Sequence, residues 1–191
     1  DLHSFPTRRS SDLLSSVECI SRGLDPIQAM LVVMSHSDNT GNGLILAASP
    51  KAKSALGISN VTRNDNLPTH PDLYKASPRM SFYIKENTKV NNVFRKYVGQ
   101  DDLLIYSIDE TMMDLTRTLD LFIPDKTISR EEKRWLIAQQ IQKDIYETTK
   151  LYVTIGIGDN PLLAKLALDN ESKHNRSLIA EWTYEDVPTK V

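Results

Sequence analysis

Two adjacent carboxylates, Asp109 and Glu110, are the residues of this sequence best suited to chemistry. They follow the apolar run 103–108, which has the length and composition of a strand. Burying an ionised carboxylate is unfavourable unless a cation or hydrogen bonds compensate for the lost water. In a regular strand the two side chains would point to opposite faces, but where a hairpin turn interrupts the strand both can reach one ion. The pair therefore suits Mg²⁺, and the alternative is an ordinary acidic turn that faces water.

A lysine near the start of a predicted helix is the second candidate. Asp159 or Asn160 is a suitable N-cap, and Pro161 suits the first helical turn. Lys165 then lies about one turn inside the helix, at a sheet edge where its ammonium group could face a phosphate. The glycine spacing of a P-loop is absent, and a solvated surface lysine is the alternative. The same two interpretations apply to a pair of lysines that follows another predicted strand, Lys51 and Lys53.

Composition limits the class of protein. The chain has 191 residues, 40% of them hydrophobic and 25% charged, which is enough for one sizeable core or two small ones. A net charge of -2 excludes binding of nucleic acid by bulk charge alone, so such binding must use local patches. The single Cys19 excludes an intramolecular disulfide, and the apolar run 30–34 is far short of the ~20 residues that span a bilayer. These features predict a reduced cytoplasmic protein that does not interact with membranes.

The elements that position the candidate residues follow a mixed α/β pattern from Leu14 onward. Two apolar runs, 31–35 and 44–49, flank a loop at 38–43 and predict a β-hairpin. A brief helix is predicted at 51–56 and ends at Gly57. The segment 64–78 contains three prolines and predicts an irregular connection, with a domain boundary near Pro78.

The second half of the chain alternates between helix and strand periods. Apolar residues at three- and four-residue spacing predict one helix that ends before Gly99 and another that carries Ile137, Ile141 and Ile145. Strands are predicted at 103–108, 112–115, 151–157 and 178–182, and a third helix at 161–173. This order is most of the split βαβ arrangement of a ferredoxin-like sheet, with the opening strand expected upstream of Leu14.

The first thirteen residues differ in character from the rest. They show neither a helical nor an alternating apolar period, and they lack the apolar stretch of a signal peptide. They resemble the translated adapter peptide that contaminates metagenomic assemblies. We interpret 1–13 as a non-native leader that replaces the true beginning, and a disordered native terminus is the alternative.

Together these segments resemble the Y-family translesion DNA polymerases, in the UmuC-like branch of Gram-positive bacteria. The resemblance covers nearly everything after Leu14, and it depends most on the Ser-Ile-Asp-Glu block at 107–110 and the Ala-Lys helix at 164–165. It implies an α+β fold in which a ferredoxin-like palm (78–182) carries a small inserted fingers subdomain (14–77). Residues 183–191 would begin the connection to a thumb, and the thumb and little finger would be absent.

The family resemblance also implies roles for residues. The activity would be that of a DNA-directed DNA polymerase, which adds deoxynucleotides opposite damaged template in DNA repair and the SOS response. Asp109 and Glu110 would hold the two catalytic metal ions, taken to be Mg²⁺. Lys165 would contact the triphosphate of the incoming nucleotide, and Lys53 would reach the same phosphates, with Lys51 possible because the spacing slips by one. The partners would be a DNA primer-template, a deoxynucleoside triphosphate and, through absent C-terminal parts, the sliding clamp.

The chain departs from the family at its start. The family's metal-binding Asp on the first palm strand falls on Arg9, and the aromatic gate against ribonucleotides falls on Leu14. Because a cation in place of a carboxylate opposes Mg²⁺ binding, we expect the chain as written to be inactive. One alternative is a catalytically inactive, polymerase-like accessory module of the DNA-damage response. Another palm enzyme, such as a nucleotide cyclase, is a third, and the fingers-like segment 31–57 argues against it.

Overall fold

The computed structural model describes residues 7–9, 13–35 and 43–190. These residues divide into two compact units, one within Asp12–Glu86 and the other formed by strand β1 (Thr7–Arg9) together with the chain from Asn87 onward. The predicted loop at 38–43 lies outside the described residues except for Gly43. Across the described ranges, no helix is long and apolar enough to cross a membrane.

The unit within Asp12–Glu86 is built on a three-stranded sheet. Its main elements are α1 (Leu13–Ser21), β2 (Leu31–Met34), β3 (Ile45–Ala48), α2 (Pro50–Leu56) and β4 (Tyr74–Ala76). Strands β2 and β3 pair antiparallel, which confirms the predicted hairpin, and the sheet order is β3-β2-β4. The core lies between the sheet and α2 and includes Met30, Val32, Ile45, Ala52 and Ile58.

Strand β4 corrects the prediction of an irregular connection over 64–78. It pairs in parallel with β2, and the Tyr74 amide donates to the carbonyl oxygen of Met30 at 2.9 Å. Three residues among prolines are too few to show an alternating period, so only pairing with a distant strand makes this segment a strand.

The other unit contains a five-stranded sheet made of β1, β5 (Leu103–Ile105), β6 (Glu110–Met113), β7 (Thr154–Gly158) and β8 (Ile179–Trp182). The order of the strands in this sheet is β5-β6-β1-β7-β8. The helices from the end of the first unit onward are α3 (Met80–Phe94), α4 (Leu119–Phe122), α5 (Arg130–Thr149), α6 (Pro161–Asn170) and α7 (Val187–Lys190). Four short 3₁₀ helices within the described ranges do not alter this order.

The topology of this sheet is that of a ferredoxin-like palm. Strand β1 lies in the middle and pairs antiparallel with both β6 and β7. Strands β7 and β8 pair in parallel, and the helix α6 connects them along the chain. On α5 the predicted apolar face, Ile137, Ile141 and Ile145, is buried as expected. The α+β fold class is therefore confirmed.

Strand β1 lies upstream of Leu14, where the opening strand of the sheet was expected, in a segment without an apolar period. Thr7, Arg8 and Arg9 pair with β6 on one side and with β7 on the other. Three polar residues carry no apolar pattern, so the strand is defined by the backbone hydrogen bonds of its two neighbours. The opening strand of the sheet accordingly lies upstream of Leu14, where the topology requires it.

Candidate active site

The two candidate carboxylates lie at the hairpin between β5 and β6. The amides of Tyr106 and Ser107 both donate to the Glu110 carbonyl oxygen at 3.0 Å, which closes the turn. The predicted strand at 103–108 therefore ends at Ile105, because the next residues are needed for this turn. Asp109 is the last residue of the turn and Glu110 is the first residue of β6.

The two carboxylates have different surroundings. The side chain of Asp109 is partly exposed, and its Oδ1 accepts a hydrogen bond from the Ser107 hydroxyl at 2.8 Å. Glu110 is only 7% exposed and lies one strand away from the middle of the sheet. In the register of the sheet, Arg9 on β1 is the residue paired with Glu110. Thus the position where the family resemblance expects a third carboxylate lies directly beside Glu110.

Helix α6 positions Lys165. The Asn160 side chain caps the helix by accepting from the Leu163 amide at 2.9 Å, and Pro161 occupies the first turn, as predicted. The helix lies directly on the backbone of β7, because Gly156 and Gly158 have no side chain there. A Cβ atom added to Gly156 would lie 2.5 Å from the Leu168 amide nitrogen, closer than any real contact. The two glycines therefore set the height of α6 above the sheet.

The structure brings Lys165 to Glu110. The ammonium nitrogen of Lys165 is 2.5 Å from Glu110 Oε1 and 3.2 Å from Asp169 Oδ2. Lys173, one turn further on, is 3.2 Å from Asp169 Oδ1. Glu110 and Lys165 were each predicted as site residues, but their pairing was not. The i to i+4 spacing of residues 165, 169 and 173 indicates only the two ion pairs along this segment.

The donor set at the turn fits a divalent cation. Carboxylate oxygens are the ligands that Mg²⁺ prefers, and protein Mg²⁺ sites commonly use one or two carboxylates, with water and substrate phosphates as the other ligands. Asp109 and Glu110 supply two such groups. In the described part of the chain no cluster of three or more metal-ligating side chains occurs. Water and substrate phosphates would supply further ligands at such a site.

Lys53, the other predicted phosphate contact, belongs to the first compact unit. It lies in the last turn of α2 and is partly buried, whereas Lys51 is exposed. The Ser49 hydroxyl begins this helix: it accepts from the Ala52 amide at 3.3 Å and donates to the Ala29 carbonyl at 2.7 Å. Gly57 ends it with a φ of 62°. The predicted helix at 51–56 is thereby confirmed, and the role of Lys53 stays a prediction.

The same unit contains a buried carboxylate, Glu18, that no local sequence pattern indicated. Glu18 on α1 is fully buried and accepts hydrogen bonds from Arg79 Nε at 2.8 Å and from the Tyr83 hydroxyl at 2.8 Å, with a further contact from Arg22. Burial alone would raise the pKa of Glu18, but the bonds from Arg79, Arg22 and Tyr83 outweigh it and hold the pKa below its usual range. Burial also raises the pKa of Tyr83, to about 12.

A second buried ionic cluster lies in the palm unit. Arg134 on α5 contacts Glu181 on β8, and its Nη1 is 3.9 Å from Asp159 Oδ1. The other oxygen of Asp159 accepts from the Tyr184 amide at 2.8 Å. Burial raises the pKa of Glu181 above its usual range in spite of the nearby arginine. This cluster links α5 to the start of α6 and to β8.

The sequence matches a known family over most of its length. The profile of the impB/mucB/samB family matches residues 14–169. The chain is 36% identical over 196 residues to the UV-damage repair protein UvrX of Bacillus subtilis (strain 168), covering 100% of this chain and 44% of UvrX. It is 32% identical over 161 residues to DNA polymerase IV 2 of the same organism, covering 84% of this chain and 36% of that protein.

Solved structures share the fold. The crystal structure of DinB from Sulfolobus solfataricus matches with a TM-score of 0.75 at 22% identity, covering 96% of this chain and 49% of that one. An insertion ternary complex of Dbh DNA polymerase matches with a TM-score of 0.75 at 20% identity, covering 96% of this chain and 50% of that one. The chain spans about half the length of these proteins or less. On this evidence the chain belongs to the impB/mucB/samB family, the Y-family of DNA polymerases and DNA repair proteins.

Proposed function

We propose that this chain is the fingers and palm part of a translesion DNA polymerase that transfers a nucleotidyl group from a deoxynucleoside triphosphate to a DNA primer. The observation that carries the proposal is the position of Lys165, whose ammonium group lies 2.5 Å from Glu110 at the carboxylate turn of a ferredoxin-like sheet. A carboxylate pair beside a phosphate-binding cation is the arrangement that phosphoryl transfer needs.

In this proposal each residue has a separate task. Asp109 and Glu110 hold divalent metal ions, taken to be Mg²⁺. When bound, the metal ions would make the primer 3′-hydroxyl a better nucleophile and would neutralise charge on the leaving pyrophosphate. Lys165 donates a charge-assisted hydrogen bond to a phosphate oxygen of the nucleotide. The family resemblance implies a contact of Lys53 with the same phosphates.

Primer extension tests the proposal. Since the chain spans 44% of UvrX, the assay uses a chimera in which the remaining part of UvrX follows this chain, with Arg9→Asp at the position that pairs with Glu110 in the sheet register. We expect Mg²⁺-dependent extension of a primed template. In that chimera Asp109→Asn should lower the rate on the order of 10³-fold, because several kcal/mol of charge stabilisation are lost.

Lys165→Ala in the same chimera should lower catalytic efficiency about tenfold or more, as the loss of one charge-assisted contact implies. Lys143→Ala is the matched control, because Lys143 is an exposed helix lysine paired only loosely, at 4.0 Å, with Glu147. Equal effects of the two substitutions would exclude a phosphate contact by Lys165.

One observation favours a second function. Arg9 is the register partner of Glu110, and an arginine stands there instead of the metal-binding carboxylate that the family resemblance implies. An inactive, DNA-binding accessory module of the damage response would tolerate this residue. Under that alternative, a folded Arg9→Asp chimera would bind primed DNA without extending it. Extension by the chimera that keeps Arg9 would contradict our expectation that the chain as written is inactive.

A further inference from the structure

A row of four charges of alternating sign begins at the carboxylate turn. It runs from Glu110 to Lys165, then to Asp169 and Lys173, with nitrogen to oxygen distances of 2.5, 3.2 and 3.2 Å. The Glu110 side chain is buried, with 10% of its side-chain surface exposed, and the side chains of Lys165, Asp169 and Lys173 are partly buried, with 25–30% exposed. Charges at such distances and burial interact more strongly than surface ion pairs.

Glu110 therefore has a positively charged partner before any ligand arrives. A buried carboxylate needs such compensation, and the Lys165 ammonium supplies it at Oε1. A divalent cation on Glu110 would need the same carboxylate and would be repelled by the ammonium group. The two cations thus exclude each other at Glu110.

Asp169 offers the ammonium group another position. Its Oδ2 is already 3.2 Å from the Lys165 nitrogen, and the i to i+4 spacing on α6 keeps the two side chains on one face. Lys165 can therefore leave Glu110 without losing its carboxylate partner altogether.

We propose that Lys165 is the resident counter-ion of Glu110, and that a divalent cation binds Glu110 only as the Lys165 ammonium transfers to Asp169. This inference rests on the proposed function, because it takes Glu110 as a metal ligand. It makes Asp169 a positioning residue. It also couples the two ligands: a phosphate that engages Lys165 removes the competing cation, so nucleotide and metal each strengthen the binding of the other.

Binding of Mn²⁺ to the chain as it exists tests the inference, measured by the loss of the free-ion electron paramagnetic resonance signal. Lys165→Gln removes the competing charge and keeps a donor for Glu110, so we expect Mn²⁺ affinity to rise at least about tenfold. Lys173→Gln is the matched control: it makes the same charge change on the same ion-pair row, one partner further from Glu110. Its affinity should stay within about twofold of the wild-type value.

Thermal unfolding provides a second readout that does not depend on activity. Mn²⁺ should raise the melting temperature of Lys165→Gln more than that of the wild type, because stabilisation by a ligand grows with the logarithm of the ratio of its free concentration to its Kd. Lys165→Met repeats both measurements without a hydrogen-bond donor.

Asp169→Asn tests the second position of the ammonium group. It should lower Mn²⁺ affinity several-fold when Lys165 is present and have less effect when combined with Lys165→Gln, since no ammonium is then left to transfer. Additive effects of the two substitutions would overturn the role of Asp169.

The outcomes separate this inference from the proposed function. Equal Mn²⁺ affinity of the wild type, Lys165→Gln and Lys165→Met, or an equal rise in Lys173→Gln, would overturn the inference and leave the metal site intact. Mn²⁺ binding by Lys165→Gln that Asp109→Asn does not reduce, or no binding by any variant, would overturn the metal site itself and the inference with it.

Discussion

Replacement of Gly156 by alanine tests how closely α6 must approach the sheet to place Lys165. The added Cβ atom would overlap the Ala164 carbonyl oxygen and would lie 2.5 Å from the Leu168 amide nitrogen, whereas ordinary contact begins at 3.4 Å. The helix would have to move away from β7 by about 1 Å, because neither neighbour is the end of a flexible side chain. Overpacking of this kind costs about 3 kcal/mol. In a chain of this size the melting temperature should fall by about 6–12 °C.

The matched control is Gly99→Ala, since no atom lies within 4 Å of a Cβ added there and the backbone φ is -67°. We expect the control to unfold within about 2 °C of the wild type, because nothing is displaced. Circular dichroism at increasing temperature measures both variants. If Gly156→Ala and Gly99→Ala have the same melting temperature, α6 does not pack tightly against Gly156. The explanation for the position of Lys165 would then be wrong.

The remaining predictions concern Glu18, Glu181 and the apolar core of the palm unit. Glu18→Gln should lower the free energy of unfolding most above pH 5 and least near pH 3. The pKa of Glu18 is lowered in the folded state, so its carboxylate stabilises the fold above the pKa of the unfolded chain, and this stabilisation is lost as the pH falls. The effect of Glu181→Gln on the free energy of unfolding should have the opposite pH dependence. The pKa of Glu181 is raised in the folded state, so its contribution to stability is present at low pH and is lost as the pH rises. Denaturant unfolding from pH 3 to 8 measures both pH dependences. Ile141→Ala, at a fully buried position, should cost about 2–5 kcal/mol in the same assay, and Leu136→Ala on the same helix, 44% exposed, should cost far less.

The two glycines also link stability to function. A shift of 1 Å in α6 would separate the Lys165 ammonium from Glu110, which is only 2.5 Å away. Displacements of this size in positioned groups can lower reaction rates about a hundredfold. Substitution of Gly156 should therefore lower both the stability of the fold and the activity that depends on the position of Lys165.

Local patterns in the sequence were sufficient for much of the fold. The hairpin of β2 and β3, the helix with Ile137, Ile141 and Ile145, and the capped start of α6 at Asn160 were all predicted, because apolar period and capping chemistry act over a few residues. The family was also identified from motifs, since the carboxylate block and the Ala-Lys helix keep their spacing along the chain.

Tertiary structure alone decided the short strands and the charge pairs. β1 and β4 have three residues each, too few for a period, and they become strands only by pairing with distant neighbours. Lys165 and Glu110 are 55 residues apart, and Glu18 and Tyr83 are 65 apart, so no local pattern indicates that they meet. A carboxylate and a lysine are identified as charged groups by sequence. Whether the lysine is a free phosphate ligand or the counter-ion of a buried carboxylate depends on the packing of α6 against β7, which brings the two charges into contact.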